Sequence, residues 1–159
     1  MNSVLYLGLE GLMIPWHASG PVLSDERKCT SSVTDLSSTI VDAVLKHPDI
    51  AIVLNSWWVA TYGYRRLLYA LPDEIARRTV GSTTRGNRMH RSHGQPPTRA
   101  DMLRSDIARR NPERLTILDA YHSAIPFEYL PRALTLSTGS SLNVKTFCSR
   151  LDELLTTDS

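Results

Sequence analysis

Hydrophobic positions along this chain fall into two kinds of run, and their alternation predicts the layout. Short continuous apolar runs at residues 3–7, 50–54, 115–118 and 133–136 are rich in β-branched and large aliphatic side chains and read as buried strands. Between them apolar residues recur at helical spacing. Val33, Leu36, Ile40, Val41, Val44 and Leu45 form one such face, closed by His47-Pro48. Residues 59–70 predict a second helix, stopped by Pro72. Met102, Leu103 and Ile107 mark a third, opened by Thr98-x-x-Asp101, which has the form of a capping box. Val144, Phe147, Leu151 and Leu154 mark the last. Strands separated by helix-length segments pair in parallel with helices on both faces, so the pattern predicts a three-layer α/β domain with a mainly parallel sheet. In such sheets ligands bind beyond the carboxyl ends of the strands, where Gly8, Glu10, Asn55, Ser56 and Asp119 all fall.

Composition narrows this to one domain. A chain of 159 residues with 42% hydrophobic content fills a single core, expected over residues 1–155, and no internal repeat interrupts it. No apolar run approaches the ~20 residues that span a bilayer, and the first residues lack a charged segment followed by an apolar one. A cytoplasmic protein without membrane contact is expected. Cys29 and Cys148 are far apart and read as free thiols of a reducing compartment.

Charge adds a second feature. From Arg77 to Arg110 there are nine arginines against Asp101 and Asp106, a segment of +7 in a chain of +2, so the remainder carries −5. Within it residues 81–97 are polar and rich in glycine, and predict a basic, flexible loop bearing Arg85, Arg88 and Arg91. An acidic protein surface is the expected partner, because arginine suits bidentate carboxylate and phosphate contacts. Nucleic acid is the alternative partner, although no aromatic residue interleaves with the arginines to stack on bases. His90-x-x-His93 has ligand-like spacing but lies among arginines, which argues against a bound cation.

The first strand runs into Gly8-Leu9-Glu10-Gly11, which resembles the first motif of the haloacid dehalogenase-like (HAD) phosphohydrolases, a strand ending in Asp-x-Asp-Gly. There the first Asp attacks phosphorus and the second is general acid and base. Asn55-Ser56-Trp57 after the second strand resembles the second motif, and the Ser-Trp pair is similar to that of the small capless HAD domains of Swiss Army knife RNA-repair proteins. Arg99, after Pro96-Pro97, is a candidate for the third motif. Asp119-Ala120 resembles the fourth, which has two acids in that subfamily. The resemblance implies a Rossmann-like HAD fold; five strands are expected, with those at residues 3–7, 50–54 and 115–118 adjacent at the sheet's centre because their runs are apolar on both faces.

The same resemblance implies that the family's chemistry has been lost. Glycine cannot form an aspartyl-phosphate, so Gly8 removes the covalent route. The family's Mg²⁺ would take a side chain at position 8, the carbonyl of residue 10 and acids at 119 and 120. Gly8 and Ala120 remove two of these, so no cofactor is expected and Asp119 is the one weak candidate ligand. The favoured reading is an inactive HAD-like domain acting as a binding or regulatory module through Arg85, Arg88, Arg91 and Arg99. The alternatives are a divergent Mg²⁺-dependent phosphohydrolase using Glu10, Ser56 and Asp119 with Arg99 as phosphate binder, and a nucleic-acid-associated protein. Each residue also has a purely structural role open to it: Gly8 a tight turn, Glu10 a solvated or capping acid, Ser56 a helix cap, Asp119 an acceptor for nearby backbone, Trp57 and Trp58 packing.

Overall fold

The computed structural model describes residues 3–14, 31–84, 97–136 and 144–156. Five strands form one sheet in the order β3-β2-β1-β4-β5, and every pairing is parallel. They are β1 (Ser3–Leu7), β2 (Ile50–Leu54), β3 (Thr79–Ser82), β4 (Arg114–Asp119) and β5 (Ala133–Thr135). The three apolar runs expected at the centre are adjacent there, with Leu7 level with Leu54 on one side and Leu118 on the other.

Side chains alternate between the two faces, as strand geometry requires. Leu5, Leu7, Ile52 and Leu54 pack in one core with α1 (Ser31–Lys46) and α6 (Val144–Thr156). Val4, Tyr6, Val53 and Ile117 pack in the other, against Leu103 and Ile107 of α5 (Arg99–Arg110). Burial on both faces explains why these strands read as continuous apolar runs and not as alternating ones. The domain is thus the three-layer α/β arrangement that the pattern predicted.

Two local expectations are corrected. Residues 59–70 do not form one helix. They divide into α2 (Trp58–Tyr62) and α3 (Tyr64–Ala70) at Gly63, whose φ of 86° lies in the left-handed region that glycine enters freely. A further short helix, α4 (Asp73–Arg78), leads directly into β3. The first residues of the segment expected as a loop over 81–97 are not loop. Gly81 and Ser82 close β3, and Thr83 and Thr84 are buried. Residues 85–96, with Arg85, Arg88 and Arg91, lie outside the described residues, as do Cys29 and the segment 15–30.

The chain reverses direction through the sheet between β3 and β4. Having stepped outward from β1 to β2 to β3, it passes through α5 on the opposite face and returns beside β1. The carboxyl ends of β1 and β4 therefore flank the switch point, where ligand crevices form in open α/β sheets. No helix among the described residues is long and apolar enough to cross a membrane.

Candidate functional site at the strand ends

The parallel ladder continues one residue past the strands: Gly8 N–H donates to Leu118 O at 2.7 Å, Asn55 N–H to Leu7 O at 2.8 Å and Thr83 N–H to Leu54 O at 2.9 Å. Strand pairing thereby fixes the backbone of three segments distant in sequence at one edge. After Gly8 the chain makes a tight turn in which the N–H groups of Leu12, Met13 and Ile14 converge on Leu9 O, with Gly11 at a positive φ of 74°. Glu10 lies in this turn, and its carboxyl is buried. Ser56 Oγ donates to Glu10 Oε1 at 2.8 Å and Leu9 N–H to Oε2 at 3.2 Å. Ser56 Oγ also accepts from Trp58 N–H at 3.1 Å, so Ser56 both opens α2 and holds Glu10. Glu10 is therefore not the solvated acid that was one of its sequence readings.

Asp119, at the end of β4, is 1% exposed. Its Oδ1 accepts from Tyr121 N–H at 3.0 Å, and its Oδ2 from Asn55 Nδ2 at 3.3 Å and from Arg99 Nη2. Arg99 is the first residue of α5, which Thr98 opens by accepting from Asp101 N–H at 3.1 Å while the Asp101 carboxylate accepts from Thr98 N–H at 3.0 Å. The capping box is thus present and aims Arg99 into the site. Arg99 is 8% exposed, donates through Nη2 to Asp119 and to the main-chain carbonyl of Asn55, and lies 3.5 Å from Glu10 Oε2. Removing one member of a buried ion pair typically costs about 3–5 kcal/mol, because its partner is left uncompensated.

Burial raises the Asp119 pKa from 3.8 to about 6, against the opposing pull of Arg99 and of the hydrogen bonds from Tyr121 and Asn55. Desolvation outweighs the guanidinium because hardly any water reaches this carboxyl.

Gly8 has a steric role here. A Cβ on this residue would lie 2.6 Å from Asp119 Oδ2, 2.8 Å from Asp119 Cγ and 3.2 Å from Asp119 Cα. The Asp119 carboxylate takes up the space a side chain at position 8 would need.

In front of this cluster opens a cleft of about 580 Å³. Glu10 and Arg99 reach it, and Trp57, Trp58, Tyr121 and Ser123 line it. Trp58 is 6% exposed and belongs to the core, whereas Trp57 is 44% exposed and stands at the rim.

The Mg²⁺ ligand set that the family resemblance describes does not fit these residues. Position 8 offers no side-chain oxygen, position 120 is alanine, and Asp119 Oδ2 is committed to Arg99 and Asn55. Among the described residues no three His, Cys, Asp or Glu side chains gather as a metal group. The charge of Arg99, the candidate phosphate binder, is met here by the Asp119 and Glu10 carboxyls of the fold itself.

The rest of the basic segment behaves similarly. Arg109 pairs with Asp106, and Arg110 meets Asp106 at 2.6 Å. Arg104 meets Glu128 at 2.5 Å. Arg78 Nη1 donates to Val44 O at 2.5 Å and to His47 O at 2.8 Å. Arg77 lies 4.0 Å from Asp73 in an exposed pair. All six described arginines of that segment thus have partners inside the domain.

Two residues of the site escaped the sequence reading. Thr83 Oγ1 donates to Asn55 Oδ1 at 3.0 Å and Thr84 Oγ1 to Ser56 O at 3.1 Å, fixing both residues that end β2. Recognising Thr79-Val80 as the start of a strand would have placed Thr83 at the same edge. The strand is four residues long and contains Gly81, which weakens that signal.

A parallel sheet with helices on both faces, and with two acids and an arginine gathered at its switch point, makes this a three-layer, Rossmann-like α/β domain. The family model for the HAD domain in Swiss Army Knife RNA repair proteins matches residues 4–144, and the chain belongs to that family. Comparison with curated proteins and with solved structures gives no match.

Proposed function

We propose that this HAD-family domain is catalytically inactive and serves as a binding or regulatory module. One observation carries the reading: the Asp119 carboxylate fills the space that a nucleophilic side chain at position 8 would need. Covalent phosphoryl transfer has no acceptor atom there. Purified protein given Mg²⁺ and a generic phosphomonoester should show no turnover above background. Turnover that disappears in Asp119→Ala would overturn the reading.

The module's partner is an acidic surface that meets Arg85, Arg88 and Arg91. Support comes from the charge asymmetry of the sequence and from the internal pairing of the six described arginines, which directs the test to these three. Reversing all three to Glu should abolish binding to a copurifying partner and leave the melting temperature nearly unchanged. The family's description mentions RNA repair, and an RNA partner would show log affinity falling linearly with log salt concentration.

A second reading, a divergent phosphohydrolase, is favoured by the Asp119 pKa of about 6, near the operating range of a general base, and by Glu10 facing the cleft. It needs Arg99 to hold phosphate while Nη2 is already engaged by Asp119 and Asn55. The inactive reading accounts for both contacts without rearrangement.

A further inference from the structure

Sheet register brings two half-exposed aromatic rings to one cleft. Leu54 of β2 and Leu118 of β4 are level with Leu7 on either side of β1, and each chain runs three residues further to an aromatic side chain, Trp57 and Tyr121 respectively. Trp57 is 44% exposed and Tyr121 43%, and both line the cleft of about 580 Å³. That volume lies within the ~300–1,000 Å³ of small-molecule pockets. Pro97 and Ala124 add apolar surface, and the Tyr121 and Ser123 hydroxyls and the Trp57 indole N–H add hydrogen-bonding groups.

The charged groups of the cleft are engaged within the fold. Glu10 and Arg99 are both more than nine-tenths buried: Glu10 accepts from Ser56 Oγ and Leu9 N–H, and Arg99 donates to Asp119 and to the Asn55 carbonyl. Two carboxyls surround one guanidinium, so no spare positive charge is left to hold an anion. An organic cation would find both Glu10 oxygens already bonded and Arg99 repelling it. What the cleft still offers is ring faces, and flat aromatic rings take these by stacking.

We propose that this cleft binds an uncharged planar heteroaromatic molecule, stacked on Trp57 and Tyr121. The choice of an uncharged ring rests on the inactive reading above, because a working phosphohydrolase would hold an anionic ester at this place. Binding is measured on ligands that carry no phosphate and turnover by phosphate release, so each can fail while the other stands.

The test is equilibrium dialysis of the whole chain against adenosine and indole, with ribose as the saturated control and AMP as the charged one. Adenosine or indole should bind saturably at one site per chain, and ribose should not bind. Trp57→Ala and Tyr121→Ala should each weaken that binding by about 5- to 150-fold. Trp57→Phe, which keeps a ring, should lose less than Trp57→Ala. Tyr69→Ala removes a ring that is 89% exposed but stands outside the cleft, and should leave binding unchanged. Should Trp57→Ala not fold, Trp57→Leu takes its place, since it keeps bulk and removes the ring face. Absence of saturable binding for both adenosine and indole overturns the proposal, and so does binding that survives both cleft substitutions. AMP binding more tightly than adenosine, and lost in Tyr121→Ala, would mark an anion site and overturn it too.

Discussion

Gly8 and Asp119, 111 positions apart in sequence, share one volume: the space beside the Gly8 Cα is filled by the Asp119 carboxyl, 2.6 Å from where a Cβ would stand. Gly8 is absent from the positive-φ glycines, so the requirement is for room and not for an unusual torsion. Gly8→Ala should therefore destabilise by about 1–3 kcal/mol through overpacking. In an Asp119→Ala background the same change should cost measurably less, with a coupling of about 0.5–3 kcal/mol. Urea melts of the four proteins measure it. Additive effects would show that the two side-chain positions do not compete.

The raised Asp119 pKa gives a stability profile of definite sign. The folded state holds this proton more tightly than the unfolded chain, so the residue's contribution to folding is full below about pH 4 and is lost as pH rises through about 6. Asp119→Asn does not titrate at this position. Stability of wild type relative to that variant should therefore fall between pH 4 and 7, by on the order of 2 kcal/mol. Denaturant melts across that range test it, and a relative stability that rises with pH contradicts the assignment.

Thr98 carries the cap that starts α5 one residue before Arg99. Thr98→Ala removes the acceptor for Asp101 N–H and should cost about 0.5–2 kcal/mol. Thr98→Asp, which keeps an oxygen at the cap, should recover most of it. Equal losses for the two variants would mean that the helix start is held by packing alone.

Tyr6 crosses from the central strand to α5, its hydroxyl donating to Asp106 Oδ2 at 3.1 Å, and Asp106 also receives Arg109 and Arg110. Tyr6→Phe leaves Asp106 with both arginines and should cost about 1 kcal/mol. Asp106→Ala strands the Tyr6 hydroxyl and a largely buried Arg110 at once, and should cost about 3–5 kcal/mol. The order of the two losses in urea is the readout, and a reversed order would place the stabilising contact at Tyr6 itself.

Much of the fold was legible because strands buried on both faces must be apolar throughout. Residues 3–7, 50–54 and 115–118 announced the sheet centre, and Thr98-x-x-Asp101 announced the start of α5, since capping is local chemistry. The split at Gly63 and the strand at Thr79–Ser82 were less visible. A single glycine does not reveal which φ it adopts, and four residues are too few to establish a period. The sequence also determined that Gly8, Glu10, Asn55, Ser56 and Asp119 would meet, because parallel strands send their carboxyl ends to one edge. What Arg99 touches was decided only in three dimensions. A count of nine arginines suggests charge offered to a partner, but ion pairing acts over a few ångströms. Only the tertiary structure sets those distances, placing Arg99 between Glu10 and Asp119 and Arg110 on Asp106.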